Sequence, residues 1–397
     1  MSPHPRRALG PVLAAAVAAL VLASCGNTRP IVAVPSDDPA PTATPSNPFP
    51  TPTQTADPPP APAKATQISI ALGGDVLIHT GVWETAQRDA ARRGEELPDF
   101  RPMFAGVKDQ IASADLAICH LETPLSPPSG PYRNYPVFSA PPSVLDGLIA
   151  TGYDGCTTAS NHSVDQGFTG LVRTVDAFDR RDLAHTGTFA TPRDARQPLV
   201  FDVHGVTVGL ISMTFGTNGL PVTEPWSVNL INVPRAIAQA RAMHRHGVDI
   251  VMVAVHAGDE YSHTPSDQQV AVFHALARSP YVDFVYGHHS HVVEPIEKIE
   301  GTWAVFGLGN FVAQQETAVP DTYRGVIAHV HFVQRVDGTY HAERPTYTPT
   351  VITDPHVYGA TRVLDATRLL TEPGVPASLR RLAAGSIHSV RSIQARA

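Results

Sequence analysis

Val282-Asp283-Phe284-Val285-Tyr286 runs directly into Gly287-His288-His289-Ser290-His291, and this stretch decides the fold. A short β-rich run that ends in a glycine and then several imidazoles reads as a strand delivering ligand-type side chains at its C-terminal end. Four other runs end in the same manner, at Asp75, Glu122, Asn161-His162 and His256. One such end is within chance. Five in one chain point to a metal centre, and a metal centre of this kind points to hydrolytic chemistry.

Working outward, residues 67 to 311 alternate short apolar runs with amphipathic ones. Strands are expected at 68–72, 116–119, 153–157, 250–255, 282–286 and 303–306. Helices are expected at 102–111, 142–150, 170–180, 234–246 and 268–277. Residues 199–203 and 206–213, joined through His204-Gly205, read as a hairpin. Continuous apolar strands with intervening helices predict sheets buried on both faces. In such α/β folds functional residues gather at the carboxyl ends of strands. Beyond Phe311 the pattern turns to paired antiparallel strands, 326–334 and 340–347, around Asp337-Gly338. Residues 355–397 read as a loosely packed helical tail, which leaves 67–354 as the main domain.

The N-terminal end reads differently. Residues 1–25 have the pattern of an export signal: Arg6 and Arg7, then an apolar run from Pro11 to Leu22 that is short for a membrane span. It ends Leu22-Ala23-Ser24-Cys25, similar to a bacterial lipobox, with Cys25 as the lipidated residue. Residues 26–66 hold twelve prolines among Ala, Thr, Ser and Asp, the composition of a disordered spacer. The expected location is therefore the extracytoplasmic face of the bacterial cell membrane, lipid-anchored or secreted. A net charge of −7 with 16% charged residues argues against nucleic acid as a partner. Cys119 and Cys156 are too few for a zinc module; they form either a disulfide or two buried thiols.

Each candidate residue has a chemical reason. Asp75 follows Gly73-Gly74, which lets the backbone turn and bring a carboxylate to an ion. His79 could reach the same site or a substrate. Glu122 is a candidate bridging carboxylate, because two cations held about 3.5–4 Å apart need an anionic oxygen between them. In Asn161-His162 the amide carbonyl suits a metal and the imidazole suits a leaving group or a nucleophile. Asp165, three residues on, could orient that imidazole. His256, His289 and His291 are neutral-imidazole ligands suited to zinc, iron or manganese. Glu260 and Tyr261 border the substrate cleft, and Asn310 shapes the pocket floor. Carboxylates, imidazoles and an amide without thiolates fit a two-metal hydrolytic centre better than structural zinc.

Six elements occur in order: Gly74-Asp75, Leu121-Glu122-Thr123-Pro124, Ala159-Ser160-Asn161-His162 with Asp165 and Gly167, His256 with Glu260-Tyr261, Gly287 to Val292 with Glu294-Pro295, and Gly307 to Phe311. Together they resemble the CapA family of bacterial capsule (poly-γ-glutamate) synthesis proteins, a branch of the calcineurin-like metallophosphatase superfamily. The resemblance implies a four-layer α/β/β/α sandwich holding two divalent ions (Mn, Fe or Zn). It implies Asp75, Glu122, Asn161, His256, His289 and His291 as ligands and His162 as the catalytic imidazole. Two departures stand out. The family usually has Asn where this chain has His120, so His120 either adds an imidazole near the metals or pocket, or faces away. The superfamily pairs its first aspartate with a histidine two residues on, where this chain has Leu77; His79 could fill that gap.

Two functions follow. One is an envelope-anchored, metal-dependent hydrolase acting on a surface polymer or its phosphorylated precursor, within a polymer-synthesis complex. The other is a non-catalytic metal-binding envelope assembly protein.

Overall fold

The computed structural model describes residues 64–315 and 319–395. The expected export signal, Cys25 and nearly all of the linker lie outside the described residues. In chain order the first strands are β1 (Gln67–Val76), β2 (Leu116–Leu121), β3 (Gly155–Thr157), β4 (Ala184–Thr186) and β5 (Leu199–Val203). Then come β6 (Val206–Thr214), β7 (Ile250–His256), β8 (Phe284–His288), β9 (Ile296–Ile299) and β10 (Thr302–Val305). The last are β11 (Asn310–Val312), β12 (Arg324–Gln334), β13 (Tyr340–Ala342), β14 (Thr346–Ile352) and β15 (Val363–Asp365). Helices α1 (Thr80–Arg93), α2 (Arg101–Phe104), α3 (Lys108–Ala112), α4 (Val144–Thr151) and α5 (Gly167–Asp179) precede the hairpin. Helices α6 (Val233–Arg245), α7 (Asp267–Ala277), α8 (Pro355–Tyr358), α9 (Ala366–Thr371) and α10 (Ala377–Gln394) follow it.

The strands form two sheets. In the first, β1 to β4 run parallel, while β12, β14 and β15 extend the other side antiparallel. In the second, β6, β7, β8 and β10 are parallel, edged by antiparallel β5 and β9.

Alternation along each strand decides how the sheets stack. Ile68, Ile70 and Leu72 of β1 and Leu116 and Ile118 of β2 share one buried cluster with Ile250, Met252 and Ala254 of β7 and Phe284 and Tyr286 of β8. The outer face of the first sheet is covered by α1 to α5 through side chains such as Val82, Phe104, Ile111, Leu148 and Phe178. Helices α6 and α7 cover the second through Met243, Phe273 and Leu276. The layers are therefore α/β/β/α. Burying one large apolar side chain stabilises by roughly 1.5–3 kcal/mol, more than a cross-strand pair at roughly 0.2–1 kcal/mol. Burial between the sheets thus sets which residues of each strand point inward.

Several expectations change. The single helix at 102–111 is two short ones, α2 and α3. Between them Gly106 bridges to Leu364, and a Cβ there would lie 2.7 Å from the Val363 carbonyl oxygen. Helix α1 and the short strands β4, β9 and β11 were not expected; three- and four-residue strands are too short to show periodicity. The strand expected at 340–347 is split into β13 and β14, both paired to β12. The segment after 355 is no loose helical tail: β15 joins the first sheet, and α10 buries Ala383, Val390 and Ile393. Cys119 and Cys156 are register partners on β2 and β3 and are disulfide-bonded.

Candidate metal centre

The centre lies where the inter-sheet core ends. Leu116 and Ile118 point into that core from β2, and the next inward position is His120. Ile250, Met252 and Ala254 lead in the same way to His256, and Phe284 and Tyr286 lead to His288. Side chains two apart share a face of a strand, so three imidazoles are the last inward residues of three strands. β1 departs from this pattern. Alternation from Leu72 sends Gly74 inward and Asp75 outward, but the β1–β2 register shifts between Leu72 and Asp75. A one-residue irregularity flips every later side chain to the other face, and Asp75 turns inward beside His120, its register partner. Gly74 is required here by close approach instead of a tight turn. A Cβ at Gly74 would sit 2.0 Å from the Gly309 carbonyl oxygen, which accepts a 3.0 Å hydrogen bond from the Asp75 N–H.

Two groups of ligand atoms result, Asp75/His120/His256 and Glu122/His289/His291, each with its atoms within 4.8 Å of one another. All six residues are buried. Glu122 Oε1 lies 3.8 Å from the Nε2 atoms of both His256 and His291, so this carboxylate stands between the groups. Asp75 also spans them. Its Oδ1 accepts from His288 Nδ1 at 2.8 Å, and its Oδ2 lies 3.1 Å from His291 Nδ1. Asn161 Oδ1 is 2.8 Å from His256 Nε2, and the ring of His120 stacks on His288 at 4.0 Å between centroids. His289 and His291 have φ of 93° and 59°, left-handed values uncommon outside glycine. The segment is thus a tight turn. Backbone strain of this kind costs on the order of 1–3 kcal/mol per residue and clusters at functional sites.

The electrostatics keep three of the imidazoles in the ligating form. Burial, reinforced by neighbouring imidazoles, pushes His120 and His256 well below the usual histidine range and His289 down to about 3, so all three stay neutral. Neutral imidazole is the metal-binding form. Burial pulls His291 down too, but Glu122 and Asp75 outweigh it and hold the ring up at about 9. Burial also raises Glu122 well above the ordinary glutamate range. For Asp75 burial acts upward, yet hydrogen bonds from His288 and His291 hold it well below the usual carboxylate range. His120 Nε2, His256 Nδ1, His288 Nε2, His289 Nδ1 and both Glu122 oxygens are buried with no hydrogen-bond partner among the described residues. Buried polar atoms are nearly always satisfied; this concentration of orphans on two adjacent groups fits a pair of cations.

Beside the centre opens a cleft of about 430 Å³, lined among others by His79, Phe138, His162, Glu260, Tyr261 and His291. His162 Nδ1 donates to Asp165 Oδ2 at 2.8 Å, and that oxygen also accepts from the Phe138 N–H at 2.7 Å. Phe138 packs edge-on against His162 at 4.8 Å and against His79 at 5.2 Å.

The structure therefore brings together Asp75, Glu122, Asn161, His256, His289 and His291, with His79, His162, Glu260 and Tyr261 lining the adjoining cleft and Asp165 buried behind His162. His79 does not fill the gap at Leu77. It belongs to neither ligand group, and its Nδ1 lies 3.2 Å from both the Leu77 carbonyl oxygen and the Gln314 N–H nitrogen. Of the positions open to His120, the structure gives the one near the metals: it sits in the first ligand group. Asn310 does not form the pocket floor. It is fully buried, its Oδ1 is 3.0 Å from His291 Nδ1, and its amide donates to the Thr322 carbonyl and Gln315 Oε1. The sequence spacing favours His289 and His291 over His288, although the alternation Phe284, Tyr286, His288 carries the signal that His288 also points inward.

The fold and centre define an α/β/β/α protein with a buried carboxylate–imidazole site. The chain belongs to the bacterial capsule synthesis protein PGA_cap family, whose model matches residues 69–315. It is 31% identical over 160 residues to the PGA biosynthesis protein CapA of Bacillus subtilis, covering 40% of this chain and 42% of that protein. It is 28% identical over 182 residues to the capsule biosynthesis protein CapA of Bacillus anthracis, covering 45% and 44%. The match thus spans less than half the length of these two relatives. A probable polyglutamine synthesis accessory protein of Mycobacterium tuberculosis is 27% identical over 306 residues, covering 67% and 77%. Among solved structures, the calcineurin-like phosphoesterase YfkN of Bacillus subtilis aligns with 82% of this chain and 99% of that chain at 13% identity. Its TM-score of 0.45 is too loose to carry a functional statement.

Proposed function

We propose that this chain is a metal-dependent hydrolase of phosphoesterase type that serves the synthesis or export of a capsule or other surface polymer. The observation that carries the reading is the side-by-side placement of two buried ligand groups with Glu122 between them, opening on a cleft where Asp165 backs His162. Asp75, His120 and His256 would hold one divalent cation, with Asn161 beside them, and Glu122, His289 and His291 the other. Zinc, iron and manganese all suit this donor set. When bound, such a pair supplies Lewis-acid charge and an activated water.

The chain's own residues do the rest. Asp165 accepts from His162 Nδ1, which fixes the ring and leaves Nε2 for substrate. His162 hands a proton to the leaving oxygen as the P–O ester bond breaks, so water and ester yield an alcohol and phosphate. Phe138 and the buried strand ends exclude bulk water from the reacting side.

The signal-like pattern of residues 1–25, the lipobox-like Leu22 to Cys25 and the proline-rich composition of 26–66 support a location at the extracytoplasmic face of the membrane, and the relatives' names support a polymer-synthesis complex as partner. A competing reading, a metal-binding assembly protein without turnover, draws on the name of the mycobacterial relative, an accessory protein. The test is hydrolysis of p-nitrophenyl phosphate by the metal-loaded chain against His162→Ala at equal metal content. Turnover lost in the variant supports the hydrolase. No turnover with any of the three metals leaves the assembly protein.

A further inference from the structure

We propose that the cleft beside the centre selects an ester of a single phosphate whose other half is uncharged and rich in hydroxyls, a sugar phosphate, and disfavours polyanions. The phosphoryl half of this inference rests on the phosphoesterase reading; the selectivity rests on the cleft walls.

Each extra carboxylate or phosphate on a ligand needs a counter-charge where it lands, and a like charge repels it. Among the described residues no lysine or arginine lines the cleft, and Glu260 does. The cations of the centre can meet one phosphoryl group, and an anion further out would meet Glu260 unpaired. The polar atoms on offer are of another kind. Asn134 Oδ1 accepts from the Thr80 N–H at 3.3 Å, and no partner takes its amide N–H groups among the described residues. Gln315 Oε1 accepts from Asn310 at 2.8 Å, and its amide N–H groups are likewise unused. Amide donors beside a carboxylate acceptor match the donor-and-acceptor character of hydroxyls.

Tyr135 adds a flat face. It lines the cleft, is 72% exposed, and meets Phe138 only edge-on at 6.4 Å. A large, mostly exposed aromatic ring at a cleft mouth can pack on the C–H face of a sugar ring. A volume of about 430 Å³ holds one such unit.

The experiment is calorimetric titration of the full manganese-loaded chain with two ligands that share the phosphate and differ in the remainder, glucose 1-phosphate and 3-phosphoglycerate. Glucose 1-phosphate is expected to bind roughly tenfold more tightly. Tyr135→Ala is expected to weaken it about fivefold with an unchanged Tm. Equal or tighter binding of 3-phosphoglycerate, or no effect of Tyr135→Ala, overturns the proposal. Hydrolysis of p-nitrophenyl phosphate is measured in parallel. Selective binding without turnover sinks the hydrolase and keeps the selectivity; turnover with binding that favours the acid does the reverse.

Discussion

His288 Nδ1 lies 2.8 Å from Asp75 Oδ1 and joins the C-terminal end of a second-sheet strand to that of a first-sheet strand. His120 is the register partner of Asp75 and His288 that of His256, so the centre is a contact between two strand pairs, one from each sheet. A cation bound there ties the two sheets together at their open end.

Metal content should follow from that arrangement. The full chain is expected to hold about two transition-metal ions, and chelation should lower its Tm, because an ion that binds only the folded state stabilises it by mass action. His120→Ala, which leaves no donor at this position, should lose about one equivalent while the Glu122 group keeps its own. Elemental analysis with a melting curve reads both, and a variant that retains both ions would show that His120 is no ligand.

His162→Ala should reduce kcat by roughly a hundred- to ten-thousandfold, the usual reach of general acid catalysis. Metal content should stay the same, since His162 belongs to neither ligand group. Asp165→Asn should give a smaller loss of kcat, because the ring keeps its edge contact with Phe138.

Glu294 carries a pH dependence of stability. Burial pushes its carboxyl up to about 8; hydrogen bonds from Gln269 and Ser290 pull down, and Asp75 and Asp259 add to the rise. The folded state therefore keeps a proton that the unfolded chain releases near 4.5. Stability from this group falls as pH rises from about 4.5 to about 8 and levels beyond. Glu294→Gln, which can still accept from Gln269, should flatten that slope and raise the Tm at pH 8. Melting curves of both proteins across this range check the sign.

The disulfide spans 37 residues of sequence. Closing a loop of that size in the unfolded chain corresponds to about 4 kcal/mol in the chain-entropy view. Reduction, or the double change Cys119→Ser/Cys156→Ser, should lower the urea midpoint with no loss of bound metal. An unchanged midpoint under reductant would mean that the bridge adds nothing to stability.

The residues by themselves determined the class of fold and most of the centre. Continuous apolar runs such as 250–255 form strands wherever they are buried on both faces, and ligand-type residues placed just after them have to collect at one end of the sheets. Only the tertiary structure decided the rest. Inward or outward is a matter of strand parity, and parity depends on which face is buried; this placed His120 and His288 in the centre. Asp75 joins them through a register shift that no local pattern encodes. His289 and His291 reach the same group through left-handed backbone that the residue types do not announce. The disulfide and the strand in the tail depend on which segments lie side by side, and that is fixed by packing between the layers instead of by neighbours along the chain.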